Sequence, residues 1–317
     1  MPSMNRTSGL IVIVLLTTGM WVPASHGEEA PAAPRKKVLI IGIDGCRHDA
    51  VVAAKTPVIG LMVEHGTRFE GTEILSPRRT DAANTVSGPG WSNLLTGVWP
   101  NKHGVTDNKF VGADYQHFPH FFVRAKSAQP RLKTASFSDW GPIAEKILGG
   151  SDHTVNLPAG GAEEYIVKDA ELAMACASHV REVDSDLVFL YLGQVDEAGH
   201  AFGFHPSVPE YIAAIERVDA HIGQVMAAVE SRRSFPQEDW LVLICTDHGG
   251  AGTDHGGGHS NPDIRRTFLV VSGPAAEVNA QQIQTYQVDV AATALRHLGI
   301  PLQPEWKLDG TAVGLKP

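Results

Sequence analysis

Four short runs of consecutive apolar residues stand out along this chain: KVLIIGI at 37–43, DLVFLYL at 186–192, DWLVLI at 239–244 and TFLVVSG at 267–273. They do not alternate apolar with polar positions and are rich in Val, Ile and Leu, as expected of strands covered on both faces in a parallel sheet. Between them the spacing changes to three and four: Ile212, Ile215, Val218, Ile222, Val225 and Val229 share one face of a helix in YIAAIERVDAHIGQVMAAVE. Ser207 and Glu210, three apart just ahead of it, predict a capping box. Strands alternating with helices predict an α/β domain over 37–317 with a largely parallel sheet. The stretch from about 104 to 165 is richer in Phe, Pro, Gly and polar residues and reads as a cap-like insertion over one sheet edge. No internal repeat or heptad array interrupts this pattern.

The N-terminus obeys a different logic. Arg6 precedes GLIVIVLLTTGMWVPA, an apolar run shorter than a membrane span usually needs, and the polar SHGEEAPAAPRKK comes at once after it. This predicts a signal peptide over 1–27, with Ala24 as a second cleavage candidate, then a disordered leader over 28–36. An uncleaved membrane anchor is the alternative. Cleavage would leave no stable membrane span and a secreted or periplasmic chain. With 43% hydrophobic and 19% charged residues the remainder is globular, and a net charge of −9 offers no basic stripe for wrapping nucleic acid. Cys46, Cys176 and Cys245, odd in number and widely spaced, are no disulfide framework.

The residues just beyond the strands carry the chemistry. In open parallel sheets ligands collect beyond the carboxyl ends of the strands. Three of the four runs exit there into acidic residues: Asp44 after the first, Asp196 and His200 after the second, Asp247 and His248 after the third. Carboxylate oxygen and imidazole nitrogen suit zinc or a similar divalent ion, and Asp196 and His200, four apart, share one face of a helical turn. Asp44, Asp247 and His248 can hold one ion; Asp196, His200 and one later histidine can hold a second. Singly, each residue has a blander reading as turn former, helix cap or core histidine. Only their joint occurrence at three strand ends argues for a site. His65, His117, His120 and His153 lack such neighbours and read as surface or packing residues.

A pair of catalytic metals also needs a nucleophile. TVSGPGWSNLLTGVWPNKHGVTDN, residues 85–108, supplies hydroxyls in a small-residue turn at the start of a helix. A hydroxyl coordinated to a divalent cation needs no histidine base, and the helix N-terminus favours an anionic ligand. Ser87 as a simple helix cap is the plain alternative.

The ordered set DGCRHD, SGPGWSNLLTG, PNKHGVTDN, DEAGH and TDHGG resembles the alkaline phosphatase superfamily, and within it the nucleotide pyrophosphatase/phosphodiesterase branch, from about residue 37 to 275. The resemblance implies a three-layer α/β/α sandwich with a small cap. It also implies Ser87 rather than Thr85 as nucleophile, because Ser87 lies ten residues before Gly97 and two before Pro89. Asn108 then donates to a phosphoryl oxygen. One metal falls to Asp44, Ser87, Asp247 and His248, and the other to Asp196, His200 and His255, with His259 competing for the last place. The resemblance further implies two divalent ions, zinc by the donor set, and a small phosphate diester or nucleotide-like substrate. Trp91 stands where sulfatases carry an Arg, which disfavours that branch. Arg47, Arg78 and Arg79 are the candidates for the extra cation of a phosphomonoesterase. Trp91 and the aromatic FPHFFV segment read as core in preference to a stacking surface. A non-catalytic metal-binding protein is the reading from a different class.

Overall fold

The computed structural model describes residues 1–2, 33–75 and 83–317, of which Pro34–Pro317 form one unit and Met1–Ala33 another. All of the expected signal peptide but Met1 and Pro2, most of the leader, and Arg78 and Arg79 lie outside the described residues. In chain order the unit runs β1 (Arg35–Ile43), α1 (Ala50–Ala53), α2 (Pro57–Glu64), β2 (Gly66–Glu73), α3 (Ser87–Thr96), α4 (Pro100–His103) and α5 (Phe121–Ala128). It continues through β3 (Thr134–Ser138), β4 (His153–Asn156), α6 (Ala162–Glu182), β5 (Leu187–Leu192), α7 (Gln194–Phe202) and α8 (Pro209–Glu230). The last elements are β6 (Glu238–Cys245), α9 (Pro262–Arg265), β7 (Arg266–Ser272) and α10 (Asp289–His297).

The strands form one seven-stranded sheet in the order β2-β7-β6-β1-β5-β3-β4. β1 lies at its centre, parallel to both β5 and β6. Each central strand divides its side chains between two faces by simple alternation. Leu39, Ile41 and Ile43 of β1 pack with Val188 and Leu190 of β5 and Val242 and Ile244 of β6 under α2, α6 and α8. Val38 and Ile40 pack with Leu187, Phe189, Leu241 and Leu243 under α3, α5 and α10. Both faces are covered, which explains why the runs read as unbroken apolar stretches. The result is the expected α/β/α sandwich with a mostly parallel sheet.

Four expectations need correction. TFLVVSG forms β7, but β7 runs antiparallel to both β6 and β2; burial on two faces carries no strand direction. Arg35 and Lys36, expected to close the leader, open β1 instead, opposite Glu238 and Asp239. Arg35 pairs with Asp184 and Asp186, so its charge is matched at the amino end of this central strand and conceals the start of the strand from an apolar count. Within 104–165, read as a cap, β3 and β4 belong to the sheet itself, β3 pairing with β5 and β4 with β3. Finally, the capping box at Ser207 and Glu210 does not form. Pro209 takes the first helical position of α8, and the Ser207 hydroxyl meets His205 Nδ1 at 2.7 Å instead.

The helical face expected for α8 is observed: Ile215, Val218, Ile222, Val225 and Val229 are buried, with Ile212 partly so. Asp219 shares that face. Its carboxylate accepts from Val58 N at 3.1 Å and Ile59 N at 2.8 Å, capping the start of α2 from another helix. The three cysteines are free and buried. Among the described residues no helix is long and apolar enough to cross a membrane.

Candidate metal centre

Strand register decides which residues meet. Gly42 of β1 pairs with Cys245 of β6, so Asp44 and Asp247, each two residues further on, come level beyond the carboxyl edge. Ile43 pairs with Leu192, after which α7 begins and presents Asp196 and His200. The turn after β1 needs a glycine here: Gly45 has φ +62°, and a Cβ on it would lie 2.3 Å from Asp196 Oδ1. The two groups therefore sit side by side.

The first group is Asp44, Asp247 and His248, all buried; the second is Asp196, His200 and His255. In the first, His248 Nε2 lies 3.2 Å from Asp247 Oδ2 and 3.5 Å from Asp44 Oδ1. In the second, Asp196 lies 3.3 Å from His200 Nε2 and 3.7 Å from His255 Nε2, and the two Nε2 atoms are 3.0 Å apart. The rings of His248 and His255 stack with centroids 3.8 Å apart and join the groups.

All three imidazoles are held in one tautomer. Nδ1 of His248, His200 and His255 each lies 2.9 Å from a backbone carbonyl, of Gly249, Thr253 and Thr85 respectively. A carbonyl only accepts, so Nδ1 carries a hydrogen and Nε2 turns inward, where a cation would take its lone pair and displace the proton that Asp196 otherwise holds on His200, as metal-ligating histidines are held. His259, the competitor to His255, has its Nε2 engaged by the Ala83 carbonyl and stands outside the group.

The donors fit divalent cations. Asp44 Oδ1, Asp247 Oδ2, His248 Nε2 and Asp196 Oδ1 are buried without a hydrogen-bond partner, a costly state for atoms of this kind unless a cation binds them. A tetrahedral zinc ion with bonds of 2.0–2.1 Å spaces its ligands roughly 3.3 Å apart, and the separations in the two groups bracket that figure. The electrostatics agree. Burial, then the charge of Asp196, raises Asp44 to about 7, and burial with Asp44 and Asp196 raises Asp247. Burial lowers His248 to about 3. Burial alone would raise Asp196, but the hydrogen bond from His200 and the nearby imidazoles hold it below the usual range, while that bond raises His200 to about 9. Such a cluster lacks positive charge.

Ser87 is the first residue of α3, 6% exposed. Its helix turn abuts the first group, since a Cβ on Gly90 would lie 2.8 Å from the Asp247 Cβ. On its other side Asn108 accepts from Gly88 N through Oδ1 at 2.7 Å. Thr85 is committed elsewhere: its hydroxyl donates to the His255 carbonyl and accepts from Gly258 N. Arg47 is committed too, bound to Asp49 and to the carbonyls of Phe204 and Gly250.

Two supporting residues escaped the sequence reading. Trp91 is fully buried, as core, but its Nε1 also donates to Asp44 Oδ2 at 2.9 Å, and Tyr191 Oη donates to the same oxygen at 2.5 Å. Together they turn Asp44 Oδ1 toward His248. The available signal was spacing, since Trp91 lies four residues after Ser87 on the same helix face. A buried amide chain was not legible at all. His103 Nε2 meets Asn93 Oδ1 at 2.9 Å, Asn93 donates to Gln287 at 3.1 Å, and Gln287 donates to the Asp247 carbonyl.

A sandwich of this topology with aspartates and histidines at three strand ends defines the alkaline phosphatase superfamily. Residues 38–151 and 134–298 match the type I phosphodiesterase / nucleotide pyrophosphatase family, and the chain belongs to it. Among curated proteins it is similar to the human GPI ethanolamine phosphate transferase 2 catalytic subunit, 25% identical over 88% of this chain and 29% of that protein. It is also similar to mouse ectonucleotide pyrophosphatase/phosphodiesterase family member 7, 23% identical over 74% of this chain and 55% of that protein. The chain thus spans about half or less of these relatives' length. Among solved structures it resembles murine ectonucleotide pyrophosphatase/phosphodiesterase 5, an inactive form in complex with AMP. That likeness has a TM-score of 0.63 at 15% identity, over 85% of this chain and 96% of that one.

Proposed function

We propose that this chain is a secreted or periplasmic phosphoric ester hydrolase, dependent on two divalent metals, that cleaves small phosphate diesters, nucleotide-like ones among them. One observation carries the reading. Five ligand-to-ligand separations between 3.0 and 3.7 Å, in two adjoining groups, surround inward-facing Nε2 and carboxylate atoms beside the first turn of α3. Asp44, Asp247 and His248 with Ser87 would hold one cation, and Asp196, His200 and His255 the other. Two such ions, zinc by the donor set, would supply the positive charge that neutralises phosphoryl oxygens and eases loss of the hydroxyl proton.

The residues then divide the work. Ser87 Oγ attacks phosphorus in line, forming Oγ–P as the bond to the leaving alcohol breaks; water next forms a P–O bond as Oγ–P breaks, restoring Ser87. The net change is diester plus water to monoester plus alcohol. Asn108 has its Oδ1 held by Gly88 N, which leaves its Nδ2 hydrogens for a phosphoryl oxygen. Trp91 and Tyr191 fix the Asp44 carboxylate. The commitment of Arg47 favours a diester, because a terminal phosphate asks for a further cation. The AMP complex of the murine relative supports a nucleotide-like substrate.

Hydrolysis of bis-p-nitrophenyl phosphate and p-nitrophenyl phosphate, with zinc content measured on the same sample, tests this. Diester turnover with about two zinc ions per chain is expected. Ser87→Ala should abolish turnover, by roughly 10³-fold or more as for other nucleophile deletions, while retaining metal. Metal-replete protein silent on both esters would leave the non-catalytic metal binder as the better reading.

A further inference from the structure

α7 follows a glycine, Gly193, at its N-cap and has no side-chain cap of its own. Its first amides are served from another helix: Asp169 of α6 accepts from Gly193 N at 2.9 Å and from Gln194 N at 3.3 Å. Asp169 also accepts from Gln194 Nε2 at 2.8 Å, and Gln194 Oε1 in turn accepts from Arg217 of α8 at 2.8 Å. Next to this carboxylate lies Asp139, the residue that leaves β3. It is 1% exposed, and neither of its carboxyl oxygens has a hydrogen-bond donor. Its Oδ1 lies 3.1 Å from where a Cβ of Gly193 would stand, with the Tyr165 ring closing the other side.

Two buried carboxyls side by side carry one proton between them. Asp169 is itself raised by burial, but its three N–H donors make it the ionised partner, so the shared proton sits on Asp139 and faces Asp169. Burial, then the Asp169 charge, raises Asp139 far above the usual carboxylate range, in agreement. His221 and Arg217 of α8, Tyr165 of α6, Tyr191 of β5 and Asp44 of the first metal group are the other charged or titratable groups facing the pair.

We propose that Asp139 and Asp169 are positioning residues for the second cation: the pair anchors the first turn of α7 and through it sets Asp196 and His200. This rests on the functional proposal that Asp196, His200 and His255 hold a cation. Neither residue touches the site. Partners bonded directly to a ligand typically change metal affinity about 10- to 100-fold, and this pair acts one link further out, so the effect lies toward the lower end of that range.

The test is calorimetric titration of metal-free full-length protein with zinc. Cobalt(II) absorption would separate the site with two imidazoles from the site with one. Asp139→Asn keeps the donor and should bind both ions within about twofold of wild type. Asp139→Ala and Asp169→Asn should weaken the two-imidazole site by about 10-fold, the lower end of the range for outer partners, and leave the other unchanged. If Asp169→Asn does not fold, Gln194→Leu substitutes for it, with a several-fold weaker second ion expected. Asp139→Asn as damaging as Asp139→Ala, variants that hold both ions like wild type, or equal loss at both sites overturns the inference alone. Wild-type protein that takes up no cation overturns the functional reading and this inference with it.

Discussion

At the scale of single residues, Asp44 shows how a candidate ligand is made from its surroundings. Aspartate after a strand is a common turn former; here two aromatic donors hold one carboxylate oxygen and leave the other toward His248. Trp91→Phe keeps most of the packing against Phe189 and Tyr191 and deletes only the donor. Zinc affinity at the Asp44 group should fall about 10- to 100-fold, with a loss of about 1–3 kcal/mol in unfolding free energy, measured by zinc titration and urea denaturation. Asp44, Asp196, His200, Asp247 and His248 were legible because they follow strand exits, whereas His255, ten residues beyond the end of β6, came only from the family resemblance. The tryptophan was not legible, because an indole donor looks like core until its partner is placed.

At the scale of elements, hydrophobic patterning recovered β1, β5, β6 and β7 and the buried face of α8. It missed β2, β3 and β4. GTRFEGTE, TASFS and HTVN are short, polar or glycine-bearing, and they become strands because neighbours supply the pairing. Helix starts were equally hidden. Neither α2 nor α7 is capped by its own residue, and the caps, Asp219 and Asp169, arrive from helices far along the chain. Asp219→Ala should therefore cost about 1–2 kcal/mol, as a lost cap does, although the residue lies in the middle of α8. Urea unfolding should register that loss, and zinc content should not change.

For the whole molecule, pH is the sharpest probe of the buried polar interior. His103 accepts from Val105 N through Nδ1 and donates through Nε2 to Asn93, so it is folded as a neutral ring. Burial lowers it to about 3, and burial lowers His120 to about 4. Both folded values lie below that of an unfolded histidine, so below pH ~6.5 the unfolded chain binds more protons and stability falls as pH falls. Each group contributes a slope of up to about 1.4 kcal/mol per pH unit down to its folded value. Urea unfolding at pH 7.5, 6.5 and 5.5 should show this decline, and His103→Gln should reduce the slope by about one proton. An unchanged slope would mean that the ring is charged in the fold.

The carbonyl clamps on His200, His248 and His255 also bear on how fast an ion can be captured. Rings already facing the right way spare the arriving cation any search through rotamers, so what remains is to displace the His200 proton and to shed its own hydration shell. Loading should then track how readily each aqua ion gives up water, with sluggish nickel entering far behind zinc even where its final grip is as firm.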